Sequence, residues 1–309
     1  MEFRKDVHLG IVARLPLDPP LMNGGGCCKT VDHVRLLSRS LAGAIVVGSF
    51  TKEERSGNPG NVWWVGNDAA LNSLGMPNGG SQYLKNNLKE MVDIANDAGK
   101  ALVVNVAGFA PEEYALLTAL ALEEGADAVE INLGCPNVVK TDGSRKPIAS
   151  FNLEVMEEIV TLVEQEVGGT SPIWVKVSPY SDPELLKGAA TVLLRHQVVK
   201  TITAINTFPS AYGLDSKGKP VITVGFAGLS GRVLKYVGLG QIKQWHDLLQ
   251  GKIGLIAVGG ISTGQDIDDY QTLGADGFQI TTELLKSGDL NPVAFERVAA
   301  EYLDIEKVK

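Results

Sequence analysis

The sequence predicts a single-domain α/β chain folded as a (β/α)8 TIM barrel over residues 1–309, and three observations carry that expectation. Short runs rich in Val, Ile, Leu and Ala recur along the chain, separated by stretches whose apolar residues follow helical spacing. The runs are apolar throughout, which is the pattern of parallel strands covered on both faces. Eight of them occur, and 309 residues with 44% hydrophobic content suffice for one barrel core.

Taken in order, the first run is Leu21-Met22, followed by Asn23-Gly24-Gly25-Gly26. The second, 43–47, closes in Gly48-Ser49 and precedes an amphipathic stretch at 83–98. The third spans 101–106 with a helix at 111–124, and the fourth, 128–133, runs into Gly134-Cys135-Pro136-Asn137 before a helix at 153–166. The fifth, 173–177, contains Lys176 and leads to a helix at 183–194. The sixth, 201–205, closes in Asn206-Thr207, and a helix at 233–249 follows. The seventh, 255–258, ends in Gly259-Gly260 with a helix at 265–273, and the eighth, 277–280, ends in Thr281-Thr282. Gly- and Pro-rich segments at 76–81 and 142–147 read as rim loops.

Charge narrows the function classes. The balance of 28 basic and 36 acidic residues gives −8, and no Lys/Arg-rich run interrupts it, so nucleic acid and anionic membranes are poor partners. No apolar run approaches the ~20 residues that cross a bilayer, so a soluble protein is expected. Three cysteines, Cys27, Cys28 and Cys135, fit neither a disulfide framework nor a metal or cluster site and point to a reducing cytoplasm.

In a barrel all strand ends meet on one face, where active sites form. That face would collect one thiol, one lysine, several amides and many glycines. Gly259-Gly260 before a helix, beside Thr281-Thr282, suits a phosphate, although such glycines also serve as plain turns. Lys176 needs a partner if buried and could stabilise an anionic reduced ring, or it is a rim lysine with a buried stem. Asn72, Asn132, Asn137 and Asn206 offer donors and acceptors for an imide or carboxylate, while any one alone reads as a turn residue. Cys135, after a strand, suits a general acid or base, or a small buried hydrophobe. Cys27 and Cys28 read as structural.

These residues resemble a known family. Asn132-Leu133-Gly134-Cys135-Pro136-Asn137 is similar to the NxxCPN segment of the dihydroorotate dehydrogenases, and 72–78 (NSLGMPN) to their NSxGxPN loop. Further matches are Thr51, Arg55 and Gly57-Asn58-Pro59, Lys176 with Pro179-Tyr180, Asn206-Thr207, Gly228-Leu229-Ser230-Gly231, and Gly259-Gly260-Ile261 with Gly264-Gln265-Asp266.

The resemblance implies an FMN site and a small dihydroorotate-like substrate. Cofactor contacts fall on Gly24, Gly25, Ser49, Asn72, Asn132, Lys176, Thr207, Ser230, Gly231, Gly259, Gly260, Thr281 and Thr282. Lys176 would face the flavin N1/O2 edge. Substrate contacts fall on Asn72, Leu74, Gly75, Met76, Asn132, Asn137, Asn206 and Thr207. Cys135 would be catalytic, taking a proton from substrate C5 while hydride leaves C6 for the flavin. Cysteine at that position resembles the soluble class, which implies a homodimer. Its electron acceptor could be fumarate, a quinone, or NAD through an iron-sulfur subunit.

Two departures from the family stand out. Gly48 replaces the family lysine, so a cation beside the ligands is expected to be missing, Lys52 lies in the following loop, and Gly48→Lys is expected to raise the rate. The lid loop, 138–151, carries Lys140, Asp142, Arg145 and Lys146 in an unfamiliar pattern. Three rival readings accompany these departures: another dihydropyrimidine-like substrate, a tRNA dihydrouridine synthase, whose NxGCP segment is similar, and a flavin-binding protein without turnover. The charge of −8 and Asn137 after the proline weigh against an RNA substrate.

Overall fold

The computed structural model describes residues 10–12, 15–137 and 146–306. Eight parallel strands, Leu21–Asn23, Ala44–Phe50, Ala101–Val106, Ala128–Asn132, Ile173–Val177, Val199–Ala204, Gly254–Val258 and Gly277–Ile280, pair in chain order and close into a (β/α)8 barrel. The predicted runs therefore hold the barrel. Three keep their predicted bounds, 101–106, 173–177 and 277–280, and the others shift at one or both ends by one to three residues.

Helices Gly80–Asp97, Pro111–Glu123, Leu153–Val167, Pro183–Leu193, Lys235–Leu249 and Gly264–Thr272 occupy the predicted stretches. Their starts follow local chemistry. Asn152 and Asp182 each accept two backbone N–H groups of the first turn, Pro183 stands just inside its helix, and Thr263 with Asp266 forms a reciprocal capping box. Among the described residues three helices had no sequence expectation: Val31–Ser38, capped by Thr30, the short Thr282–Leu285, and Val293–Glu306.

Inward and outward residues alternate along each barrel strand. Outward Ile45, Val47, Leu102, Val104, Val129, Ile131, Val175 and Ile202 pack against the helices in one large core. Inward Met22, Val46, Val103, Ala128, Trp174 and Ile256 fill the N-terminal half of the interior, and Leu17 of the hairpin Gly10–Val12/Leu15–Leu17 packs against them. Above that apolar layer the interior changes character. Asn105, Glu130, Lys176, Thr203 and Gln279, each one pleat further along its strand, form a buried polar layer.

A second sheet was not anticipated. Trp63–Val65, Ala70–Asn72, Ala227–Ser230 and Phe208–Ala211 form an antiparallel sheet of four short strands, in which Trp63 lies opposite Asn72 and Asn72 opposite Gly228. It stands over the C-terminal ends of the barrel strands and supplies one wall of the cleft there.

Trp174 is fully buried and is the largest side chain of the apolar layer. Trp174→Ala should therefore cost about 3–5 kcal/mol, read as a lower urea midpoint at unchanged slope. A loss below about 1 kcal/mol would show that the interior collapses around the gap.

Candidate functional site

The strand ends and the four-stranded sheet enclose one cleft. Every sequence-predicted substrate residue, Asn72, Leu74, Gly75, Met76, Asn132, Asn137, Asn206 and Thr207, lines it, as do Cys135, Gly25, Ser49, Lys176, Ser230, Gly231, Gly259, Gly260, Thr281 and Thr282. Gly24 is the exception. It lies behind Thr281, whose Oγ1 a Cβ at this position would meet at 2.1 Å, so it packs strand one against strand eight.

The four asparagines form two linked pairs. Asn137 Nδ2 donates to Asn72 Oδ1 at 2.9 Å, and Asn206 Nδ2 donates to Asn132 Oδ1 at 3.0 Å. Outside the pairs, Asn72 Nδ2 donates to Gly228 O at 3.4 Å and Asn132 Nδ2 to Ser49 Oγ at 3.2 Å. An amide carries two N–H donors, so each asparagine keeps one for a ligand among the described residues. Such a wall favours an oxygen-rich partner.

Cys135 stands beside that wall. Burial pushes its thiol up, opposed by the Asn137 backbone N–H and by the cations of Lys146 and Arg55. Both cations lie over the Phe109 ring, at 5.1 and 4.7 Å from its centroid, and Arg55 Nε donates to Gly75 O at 3.1 Å. Of the loop charges singled out in the sequence, Lys140, Asp142 and Arg145 lie outside the described residues.

The opposite end of the cleft is built for an anion. Gly231 and Gly260 take φ of +90° and +75°, and a Cβ at Gly260 would lie 2.6 Å from Lys235 N. Thr282 Oγ1 donates to Ser230 Oγ at 3.2 Å, which joins two strand ends across this corner. Arg232 also lines the cleft here. Glycine backbone, hydroxyls and a guanidinium are together the donor types that suit a phosphate.

The expectation of a missing cation is corrected by Lys29, which also lines the cleft. Gly48 N donates to Cys28 O at 2.9 Å, so Lys29 issues from the backbone directly beside the position that lost its lysine. Burial lowers its ammonium below the ordinary lysine value, with the Cys27 thiol acting the other way. Lys52 is exposed and contributes nothing to the cleft. Nor can Gly48→Lys simply restore the charge: φ is +108°, and a Cβ would sit 2.2 Å from Asn105 O. Cys27, expected to be structural, lines the cleft, whereas Cys28 is wholly buried. Trp63 is a further wall residue with no sequence signal of its own.

Among the described residues no helix is long and apolar enough to cross a membrane, and no group of three His, Cys, Asp or Glu could hold a metal. The sequence profile of the family described as dihydroorotate dehydrogenase matches residues 11–304. A dihydroorotate dehydrogenase (fumarate) of Kluyveromyces lactis is 31% identical over 295 residues, covering 94% of this chain and 90% of its own. One from Trypanosoma cruzi is 30% identical over 294 residues, covering 93% and 89%. Among solved structures, a DHODH of Eimeria tenella in complex with ferulenol has the same fold at a TM-score of 0.81 and 20% identity, covering 98% of this chain and 86% of that one. With nearly its whole length matched, the chain belongs to the dihydroorotate dehydrogenase family.

Proposed function

We propose that the protein oxidises dihydroorotate to orotate with FMN as cofactor and Cys135 as base. One observation carries the reading: a thiol flanked by four half-satisfied asparagines shares a single cleft with a glycine and threonine cradle for a phosphate. The residues present fit FMN. The Thr207 hydroxyl is buried without a hydrogen-bond partner on the cleft wall, and Gly26, at φ +99° with open space in front, leaves bare backbone where a flat ring can lie.

Ser230, Gly231, Gly259, Gly260 and Thr282 would hold the phosphate and its chain, and Lys176 the polar edge of the ring. When bound, FMN supplies the acceptor for the hydride that leaves substrate C6. The chain does the rest. The spare N–H groups of Asn72, Asn132, Asn137 and Asn206 orient the ring oxygens and carboxylate of the substrate, Lys29 balances its negative charge, and Cys135 Sγ takes the C5 proton. The relatives' names support fumarate as the final acceptor.

Anaerobic mixing of the purified yellow protein with dihydroorotate tests the reading directly. Bleaching of the flavin band is expected, and a colour that persists with FMN bound would remove dihydroorotate as substrate. Cys135→Ala should keep the flavin yet slow bleaching by about 10²–10⁴-fold, the usual weight of a general base. An unchanged rate would take Cys135 out of the reaction.

Only the thiolate can accept the proton, and burial raises the thiol above its ordinary value. Below that value the reactive fraction grows with pH, so the reduction rate should climb by about tenfold per pH unit across the neutral and mildly alkaline range. Cys135→Ser should flatten the climb, because its hydroxyl does not titrate there. A pH-independent wild-type rate would contradict the assignment. Lys29→Ala should slow reduction at least tenfold, about the loss of one charge-assisted contact of 1.5–3 kcal/mol, with Lys52→Ala as the neutral control. Equal effects at the two lysines would show that the cleft does not use Lys29.

A further inference from the structure

We propose that Glu130 is a positioning residue that acts through Gln279 to hold the Lys176 ammonium at the flavin site, an inference that rests on the FMN reading above. Glu130 is completely buried inside the barrel, directly below the glycine floor of the cleft. A Cβ at Gly25 would come 2.6 Å from Asn105 Nδ2 and 3.2 Å from Glu130 Oε1, so glycine backbone covers Glu130, while Lys176 and Gln279 of the same layer reach the cleft.

Three donors converge on the carboxylate: Asn105 Nδ2 at 2.6 Å, Thr203 Oγ1 at 2.8 Å and Gln279 Nε2 at 2.7 Å. An ionised carboxylate can only accept, so Gln279 must turn its N–H₂ toward Glu130 and its carbonyl away. Lys176 Nζ donates to that carbonyl at 2.7 Å and lies 3.8 Å from Glu130 Oε1. The order acceptor, donor, acceptor, donor is thus imposed from Glu130 outward. With a neutral amide at 130, Gln279 is free to turn and present N–H groups to the ammonium, which repels it. A buried charge is costly to hold unless it is paired and hydrogen-bonded, and here three donors and an ammonium surround it. What the carboxylate adds is a fixed direction and a countercharge for Lys176.

Dye-equilibrated potentiometry and sulfite titration of the purified flavoprotein test this without turnover. Glu130→Gln should disfavour the reduced flavin tenfold relative to the oxidised form, which for a two-electron couple lowers the potential by about 30 mV, and should weaken sulfite binding by about the same factor. Gln279→Leu, which keeps the carboxylate but breaks the relay, should do likewise and decides the matter if Glu130→Gln does not fold. In a Lys176→Met background Glu130→Gln should lower the potential no further. Wild-type potentials in both variants, a rise in Glu130→Gln, or a further fall in the Lys176→Met background would each overturn the proposal. A normal wild-type potential without bleaching by dihydroorotate overturns only the substrate reading. A wild-type protein that binds no flavin overturns both.

Discussion

Closure of eight parallel strands is the constraint from which the rest of this structure follows. Once the barrel closes, alternate residues of every strand must point inward, and the interior admits only what a narrow, dry space tolerates. Near the N-terminal end it is apolar, with Trp174 as the bulkiest member. One pleat further along the strands, the same parity delivers Asn105, Glu130, Lys176, Thr203 and Gln279 to one level. None could sit there alone, since each buried polar group needs a partner. Hydrogen bonds among the side chains meet most of that need, with Asn105 Oδ1 left without a partner among the described residues, and the layer lies beneath the cleft.

The next level up is mostly backbone. Gly25, Gly26, Gly259 and Gly260 line the cleft where the strands end, and the side chains facing it come from loops far apart in the chain. Two short strands of the outer sheet bring Asn72 beside Gly228 and so within reach of Asn137. The substrate wall therefore depends on pairing between segments more than 150 residues apart, and the anion end joins strands seven and eight, neighbours in sequence and space, to Ser230 and Gly231 of the same outer sheet.

This division also explains what the sequence made legible. The eight strands announce themselves through unbroken apolar runs, and the site residues through their position just after those runs. Trp63–Val65 and Ala70–Asn72 are three residues each and carry no period, so nothing marks them as a sheet before their partners are known. Val31–Ser38 is equally quiet, with only Val34 and Leu37 buried on its inner face. Lys29 escaped for a different reason. Its importance comes from the contact between Cys28 and Gly48 across two strands, and no reading along the chain joins them. Its single local signal is that it follows the first glycine-rich strand end and precedes a helix cap.

Charge at the cleft illustrates how such exchanges are permitted. A side chain at 48 would collide with Asn105 O on the neighbouring strand, so the backbone conformation observed here and a lysine at 48 exclude one another. A cation at 29 requires no such space, because it rises from the loop rather than from the strand. The backbone bond from Gly48 N to Cys28 O sets Lys29 beside the position that carries no side chain, and Lys29 reaches the cleft from there. Electrostatic complementarity to an anionic substrate fixes where the positive charge must be felt, and not which residue must carry it.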